Sequence, residues 1–144
     1  MTMPSLVPEL DVHDLARSLD FYCRVVGFRV RFERPEERFA YLILDDVHLM
    51  LEEAAGPGRR FRTAPLEYPY GRGVNFMMRV ADVSALCARI EAAGFVPYLP
   101  LEDRWYRQDW VENGNRQFVV ADPDGYLLRF FSYLGKRPVQ TDDA

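Results

Sequence analysis

The chain reads as an α+β fold: two tandem βαβββ modules that together form a curved, mostly antiparallel sheet. Three observations carry this reading. Leu10-Asp11-Val12-His13-Asp14-Leu15 is answered 68 positions later by Met78-Arg79-Val80-Ala81-Asp82-Val83. Each opener runs into a helical stretch that closes on a Gly-Phe pair, Gly27-Phe28 and then Gly94-Phe95. Each half also ends in a turn and an alternating strand, at Asp45-Asp46-Val47-His48-Leu49-Met50-Leu51 and Asp124-Gly125-Tyr126-Leu127-Leu128-Arg129-Phe130. A repeat of this length constrains a fold more than one motif does, because every position has a counterpart to check it against.

The elements follow in order. Residues 5–12 alternate as a strand with Leu6, Pro8, Leu10 and Val12 on one face, and Pro8, lacking a ladder donor, places it near an edge or at a bulge. Asp14 caps a helix whose stripe is Leu15, Leu19, Tyr22 and Val26, widened by Phe21 and Val25, and Gly27 ends it. Strands at 28–34, 38–44 and 47–53 are separated by Pro35-Glu36-Glu37 and Asp45-Asp46. The second module repeats the plan with a strand at 74–81, a helix at 83–93 and a strand at 95–100. An irregular segment at 101–111 then leads to strands at 116–121 and 126–133, joined by the turn Asp122-Pro123-Asp124-Gly125.

At 144 residues, 49% hydrophobic and 28% charged, the chain has enough apolar surface for a core. It reads as one domain over 1–134, with modules at 5–53 and 74–134, a Gly-, Pro- and Arg-rich connection at 54–73, and a polar, frayed tail from 135 to 144. No run approaches the roughly 20 apolar residues of a membrane span, and no leader suggests export. Cys23 and Cys87 fall in helices and read as buried thiols of a reducing cytoplasm. A net charge of −4 without a basic stripe argues against nucleic acid.

Strand alternation sorts the residues into two faces. Leu10, Val12, Leu49, Leu51, Phe76, Met78, Val80, Leu128 and Phe130 should meet the helices. Val7, Glu9, Asp11, His48, Met50, Glu52, Asn75, Met77, Arg79, Leu127, Arg129 and Phe131 should face the concave side. That second set is too polar for a core and reads as the lining of a cup.

With these residues in place, the chain resembles the vicinal oxygen chelate superfamily of glyoxalases, extradiol dioxygenases and bleomycin-resistance proteins. The resemblance covers residues 5–134 and rests on Leu-x-Val-x-Asp-Leu-x-x-Ser-x-x-Phe-Tyr at 10–22, Gly27-Phe28, Val-x-Asp-Val at 80–83 and Asp122-Pro123-Asp124-Gly125. It implies the glyoxalase/bleomycin-resistance fold, and in many members a metal held by four cup-facing side chains. Carried over, those positions are Val7, Met50, Asn75 and Arg129, none a good ligand for a divalent ion. A substitute site from His48, Glu52 and Glu9 is the metal-dependent alternative, for a glyoxalase- or dioxygenase-like enzyme; as solvated polar residues the three need no metal.

The metal-free, bleomycin-resistance branch is the closer resemblance, through Arg34-Pro35-Glu36-Glu37-Arg38-Phe39-Ala40-Tyr41, Leu49-Met50-Leu51-Glu52-Glu53, Arg116-Gln117-Phe118 and Gly125-Tyr126-Leu127-Leu128-Arg129-Phe130. It implies a homodimer that sequesters a bleomycin-class glycopeptide without a cofactor and without chemistry, using aromatic faces for flat rings and carboxylates for a cationic tail. The candidate ligand-binding residues are the aromatics Phe32, Phe39, Tyr41, Tyr98, Trp105 and Trp110. Beside them stand Met50, Glu52, Asn75, Met77, Glu112 and Arg129. Arg129 either meets an acidic ligand group or pairs with Glu52, and Phe39 and Tyr41 are in part core. No phosphate-binding Gly loop, Cys-x-x-Cys or nucleophile elbow is present, and Ser18 and Ser84 read as solvated or capping residues.

Overall fold

The two repeated openers end in aspartates that do the same work. Asp14 accepts a hydrogen bond from the Arg17 amide at 3.2 Å and Asp82 one from the Ala85 amide at 3.0 Å, so each caps the helix that follows it. The computed structural model describes residues 3–140. It divides into two compact units, the first taking residues up to Val74 together with Asp122–Tyr126, the second Asn75–Ala121 and the chain from Leu127 onward.

The first unit holds β1 (Glu9–Val12), α1 (Leu15–Leu19), β2 (Arg29–Arg34), β3 (Phe39–Leu44) and β4 (Val47–Glu53). Its sheet order is β1-β4-β3-β2, with β1 parallel to β4 and the other pairs antiparallel. The second unit holds β5 (Asn75–Arg79), α2 (Val83–Ala92), β6 (Leu99–Gln108), β7 (Val111–Ala121) and β8 (Leu127–Pro138). Its order, β5-β8-β7-β6, repeats the first, again with one parallel pair. The register repeats as well: Glu9 lies opposite Met50, and 68 positions after Glu9, Met77 lies opposite Arg129. β1 is an edge strand, as Pro8 requires, and the Pro8 carbonyl accepts from the Met50 amide at 2.9 Å.

α1 continues into a wider π-type coil over Asp20–Val26 that brings Phe21, Tyr22, Val25 and Val26 onto the buried side. Gly27, at φ 111°, ends it, its amide donating to the Tyr22 carbonyl at 3.0 Å. Leu10, Val12, Leu49, Leu51, Met78, Leu128 and Phe130 are buried as alternation demands, with Phe76 and Val80 half-buried. β3 departs from alternation. Phe39 through Ile43 are all buried, because one face packs Ala40 and Leu42 while the other forms a Phe39–Tyr41–Ile43 cluster flanked by Val7 and Met50.

The turn Asp122–Tyr126 is built into the first unit by its side chains. Asp122 Oδ2 accepts from the Tyr22 hydroxyl at 2.7 Å, and its Oδ1 accepts from the amides of Asp124 and Tyr126, each at 2.9 Å. Asp124 accepts from the Arg17 guanidinium at 2.9 Å and from the His13 amide at 3.3 Å, and it faces Ser18 Oγ at 3.5 Å. Ser18 is therefore fully buried rather than solvated. The Tyr126 hydroxyl donates to the Asp11 carbonyl at 2.9 Å. Gly125 lies so close to Pro69 that a Cβ there would sit 2.5 Å from the proline ring.

Two stretches differ from the sequence reading. The segment expected to be irregular is a long hairpin, β6 with β7, turning at Asp109-Trp110; the expected frayed tail continues β8 as far as Pro138. Both lie largely outside a core, so no apolar alternation marks them. Cross-strand pairs hold them instead. Arg116 pairs with Asp103 at 2.8 Å, Arg137 pairs with Glu112 at 2.8 Å, and the Arg137 guanidinium sits 4.3 Å over the Trp105 ring. Cys23 is half-buried, Cys87 is buried, and both are free thiols.

Two predictions follow from this packing. Trp105 covers Gly114 so closely that a Cβ would lie 2.7 Å from the ring, so Gly114→Ala should cost about 1–3 kcal/mol in a denaturant melt. Unchanged stability would show that the ring moves aside freely. Burial pushes the Asp122 carboxyl up to about 6, the nearby Asp124 charge adding to this and the three donors opposing it. A carboxyl raised in the folded state favours folding while protonated, and loses that contribution as pH climbs through its folded value. Native stability relative to Asp122→Asn should therefore fall by about 3 kcal/mol between pH 4 and pH 7. A flat difference would refute it.

Candidate functional site: a cavity on the second sheet

The repeated register explains where space opens. In the first unit Tyr41 lies opposite Met50 and Phe39 opposite Glu52. In the second unit the matching residues are Val119, opposite Arg129, and Gln117, opposite Phe131. Tyr and Phe are thus replaced by Val and Gln on the same strand face. The aromatic side chains fill the first unit's face, whereas the second carries a cavity of about 350 Å³. It is lined by Asn75, Tyr98, Leu99, Glu102, Arg104, Tyr106, Gln117, Val119, Leu127 and Arg129. β6 supplies the wall from Leu99 to Tyr106, β7 and β8 the floor, and β5 the Asn75 rim.

The cavity's chemistry is recognition chemistry. Gln117 donates through Nε2 to Glu102 at 3.1 Å and to the Tyr106 hydroxyl at 2.6 Å. Arg129 Nη2 lies 2.9 Å from Met77 Sδ. Tyr98, 74% exposed, offers a free ring face at the rim. The lining has two guanidinium groups, one carboxylate, two amides and two phenols, but no imidazole, thiol or aliphatic hydroxyl. It is less acidic than the sequence suggested.

A second, larger groove of about 660 Å³ lies in the first unit between Glu9 and Asp11 of β1, the 61–72 stretch of the connection, and Tyr126. Its charges are largely paired. Arg62 binds Asp11 at 3.1 Å and also the Ala54 carbonyl, and Arg72 binds the Tyr68 carbonyl at 2.9 Å. Behind β1, Glu52 is only 6% exposed and is held by Arg60 at 3.0 Å. Its burial, then the hydrogen bond and charge of Glu9, push its carboxyl up to about 7, against the pull of Arg60.

The structure distributes the sequence-derived candidates widely. Asn75, Tyr98 and Arg129 come together in the cavity, and Met77 supports Arg129. Phe32 stacks on Tyr41 with ring centroids 4.9 Å apart, but Phe39 and Tyr41 are core, and Met50 packs against them. Glu52 is a buried ion-pair partner of Arg60, not of Arg129. Trp105 is covered by Arg137, Glu112 holds that arginine, and Trp110 stands 88% exposed at the hairpin tip. Leu99, Arg104, Gln117 and Val119 were not singled out. The repeat aligns Gln117 and Val119 with Phe39 and Tyr41; Leu99 falls in the strand expected at 95–100, and Arg104 in the stretch at 101–111 that alternation does not mark as strand.

The metal positions of the resemblance were tested by their donors. Val7 and Met50 pack against the Phe39–Tyr41–Ile43 cluster, and Asn75 and Arg129 offer an amide and a fixed cation, which does not suit a divalent ion. The substitute set is not assembled either. His48, 8% exposed rather than solvated, bonds through Nδ1 to the Tyr41 hydroxyl at 2.6 Å. Among the described residues no three His, Cys, Asp or Glu side chains come together.

Comparison with known proteins accords with this geometry. Bleomycin resistance proteins from Geobacillus stearothermophilus and Staphylococcus aureus are 31% identical over 135 residues, spanning 89% of this chain and 96% of theirs. Among solved structures, TioX from Micromonospora sp. ML1 superposes with a TM-score of 0.69 at 28% identity, covering 90% of this chain and 98% of its own. TnmS3, an antibiotic binding protein from Streptomyces sp. CB03234, shares the fold at 24% identity, with a TM-score of 0.61 over 88% of this chain and 93% of its own. Residues 7–130 match the Glyoxalase/Bleomycin resistance protein/Dioxygenase superfamily, and the chain belongs to that family.

Proposed function

We propose that this protein binds a bleomycin-type glycopeptide antibiotic and confers resistance by sequestration, as a metal-free cytoplasmic homodimer that leaves the drug chemically unchanged. The observation that carries the reading is the second unit's cavity, where Asn75 and Arg129, at two of the four metal positions that the resemblance carries over, stand among hydrogen-bonding and stacking groups. The near full-length likeness to bleomycin resistance proteins supports the same ligand class. No helix among the described residues is long and apolar enough to cross a membrane. A cavity of about 350 Å³ takes one flat segment of a glycopeptide, with Tyr98 and Tyr106 supplying ring faces and Glu102 a partner for positive charge.

The test is calorimetric titration of metal-analysed protein with metal-free and copper-loaded bleomycin, followed by mass analysis of the recovered drug. Saturable binding with unchanged drug mass is expected, and Tyr98→Ala should weaken it about three- to tenfold by removing an exposed stacking face. Absence of binding at high micromolar drug would remove bleomycin as the ligand. An altered drug mass would instead make the protein an enzyme.

A further inference from the structure

The Gln117 amide is locked in one orientation. A carboxylate only accepts, so the nitrogen must face Glu102 and the group cannot be turned over. That fixes which atom is the acceptor Oε1. It is buried without a hydrogen-bond partner, on a side chain only 2% exposed. Arg129 is its complement. While Nη2 rests on Met77, Nε is buried without an acceptor. Val119 lies opposite Arg129 and Gln117 is two residues along from Val119, so the two orphaned groups belong to diagonal neighbours on one sheet face, roughly 7–8 Å apart at the backbone. Both residues line the cavity.

An orphaned acceptor and an orphaned donor are costly to bury, and a ligand group that answers both recovers that cost. We propose that Gln117 Oε1 and Arg129 Nε read the edge of an uncharged planar amide, taking its N–H and its C=O respectively. The cavity then selects a primary carboxamide or lactam carried on a flat ring. A carboxylate would satisfy Arg129 but would set a lone pair against Gln117 Oε1, with the Glu102 charge beyond it. The ring would lie among Tyr98, Tyr106, Leu99 and Val119. This inference rests on the cavity being the ligand site, as in the proposed function, but not on bleomycin being the ligand.

The test uses the full chain and three probes: benzamide, benzoate and N,N-dimethylbenzamide, which keeps the carbonyl but lacks the N–H. Binding is followed by NMR through the Gln117 side-chain amide and the Arg129 Nε–H, assigned by their loss in Gln117→Leu and Arg129→Lys. Benzamide should move both signals and bind at least about fivefold tighter than either other probe, with Gln117→Leu erasing that preference. Benzoate binding as tightly as benzamide to the native protein overturns the proposal without any variant having to fold, and so do unmoved side-chain signals once the two variants have assigned them. An amide preference together with silence toward bleomycin supports the reading pair and removes only the drug. Bleomycin binding with no amide preference removes only the pair.

Discussion

One carboxylate organises the first unit. Asp122 arrives a hundred residues after Tyr22, its hydroxyl partner, and its other oxygen closes the backbone of its own turn. Once that turn is closed, Asp124 is presented to the start of α1, where it takes Arg17 and the His13 amide. Tyr126 is presented to β1 and to the connection, its ring lying over Gly71 and edge-on to Tyr70. A buried carboxylate is tolerable only because each oxygen is answered. Helix start, edge strand and connection thus share a dependence on one side chain that meets the first helical stripe through the Tyr22 hydroxyl.

The two units show what a duplicated frame can do with different fillings. Register, strand order and helix caps are the same, yet Phe39 and Tyr41 close one sheet face while Gln117 and Val119 leave the other open. The exchange trades packing for hydrogen bonding. Gln117 needs Glu102 and Tyr106 to be buried at all, and those residues arrive only because β6 is long enough to reach them. The second unit's cavity therefore depends on a strand the first unit's shorter β2 does not match.

Much of this was legible in the sequence, for a physical reason: burial imposes period. The strands around Leu10, Leu49, Met78 and Leu128 announced themselves because one face of each meets a helix. The offset of 68 between the halves is kept in the structure's register, with Glu9 opposite Met50 and Met77 opposite Arg129. β6 and the end of β8 left no such trace, since charge pairs and a Trp–Gly contact hold them in place of a core. Glu102, Arg104 and Tyr106 of the candidate site lie in that untraced stretch. Phe39 and Tyr41 misled for the opposite one, because β3 is buried on both faces and its aromatics look the same whether they line a cleft or fill it.

The hairpin that carries Trp110 has a bearing on how such a protein changes over generations. Its strands are joined by Asp103 with Arg116, Glu112 with Arg137, and Trp105 over Gly114, none of which belongs to either apolar core. Surface residues away from such pairs tolerate substitution at little cost in stability. Sequence drift at the tip is therefore uncoupled from folding, whereas drift in β3 is not. New ligand preferences have an open route through one hairpin, and the rest of the molecule need not be renegotiated.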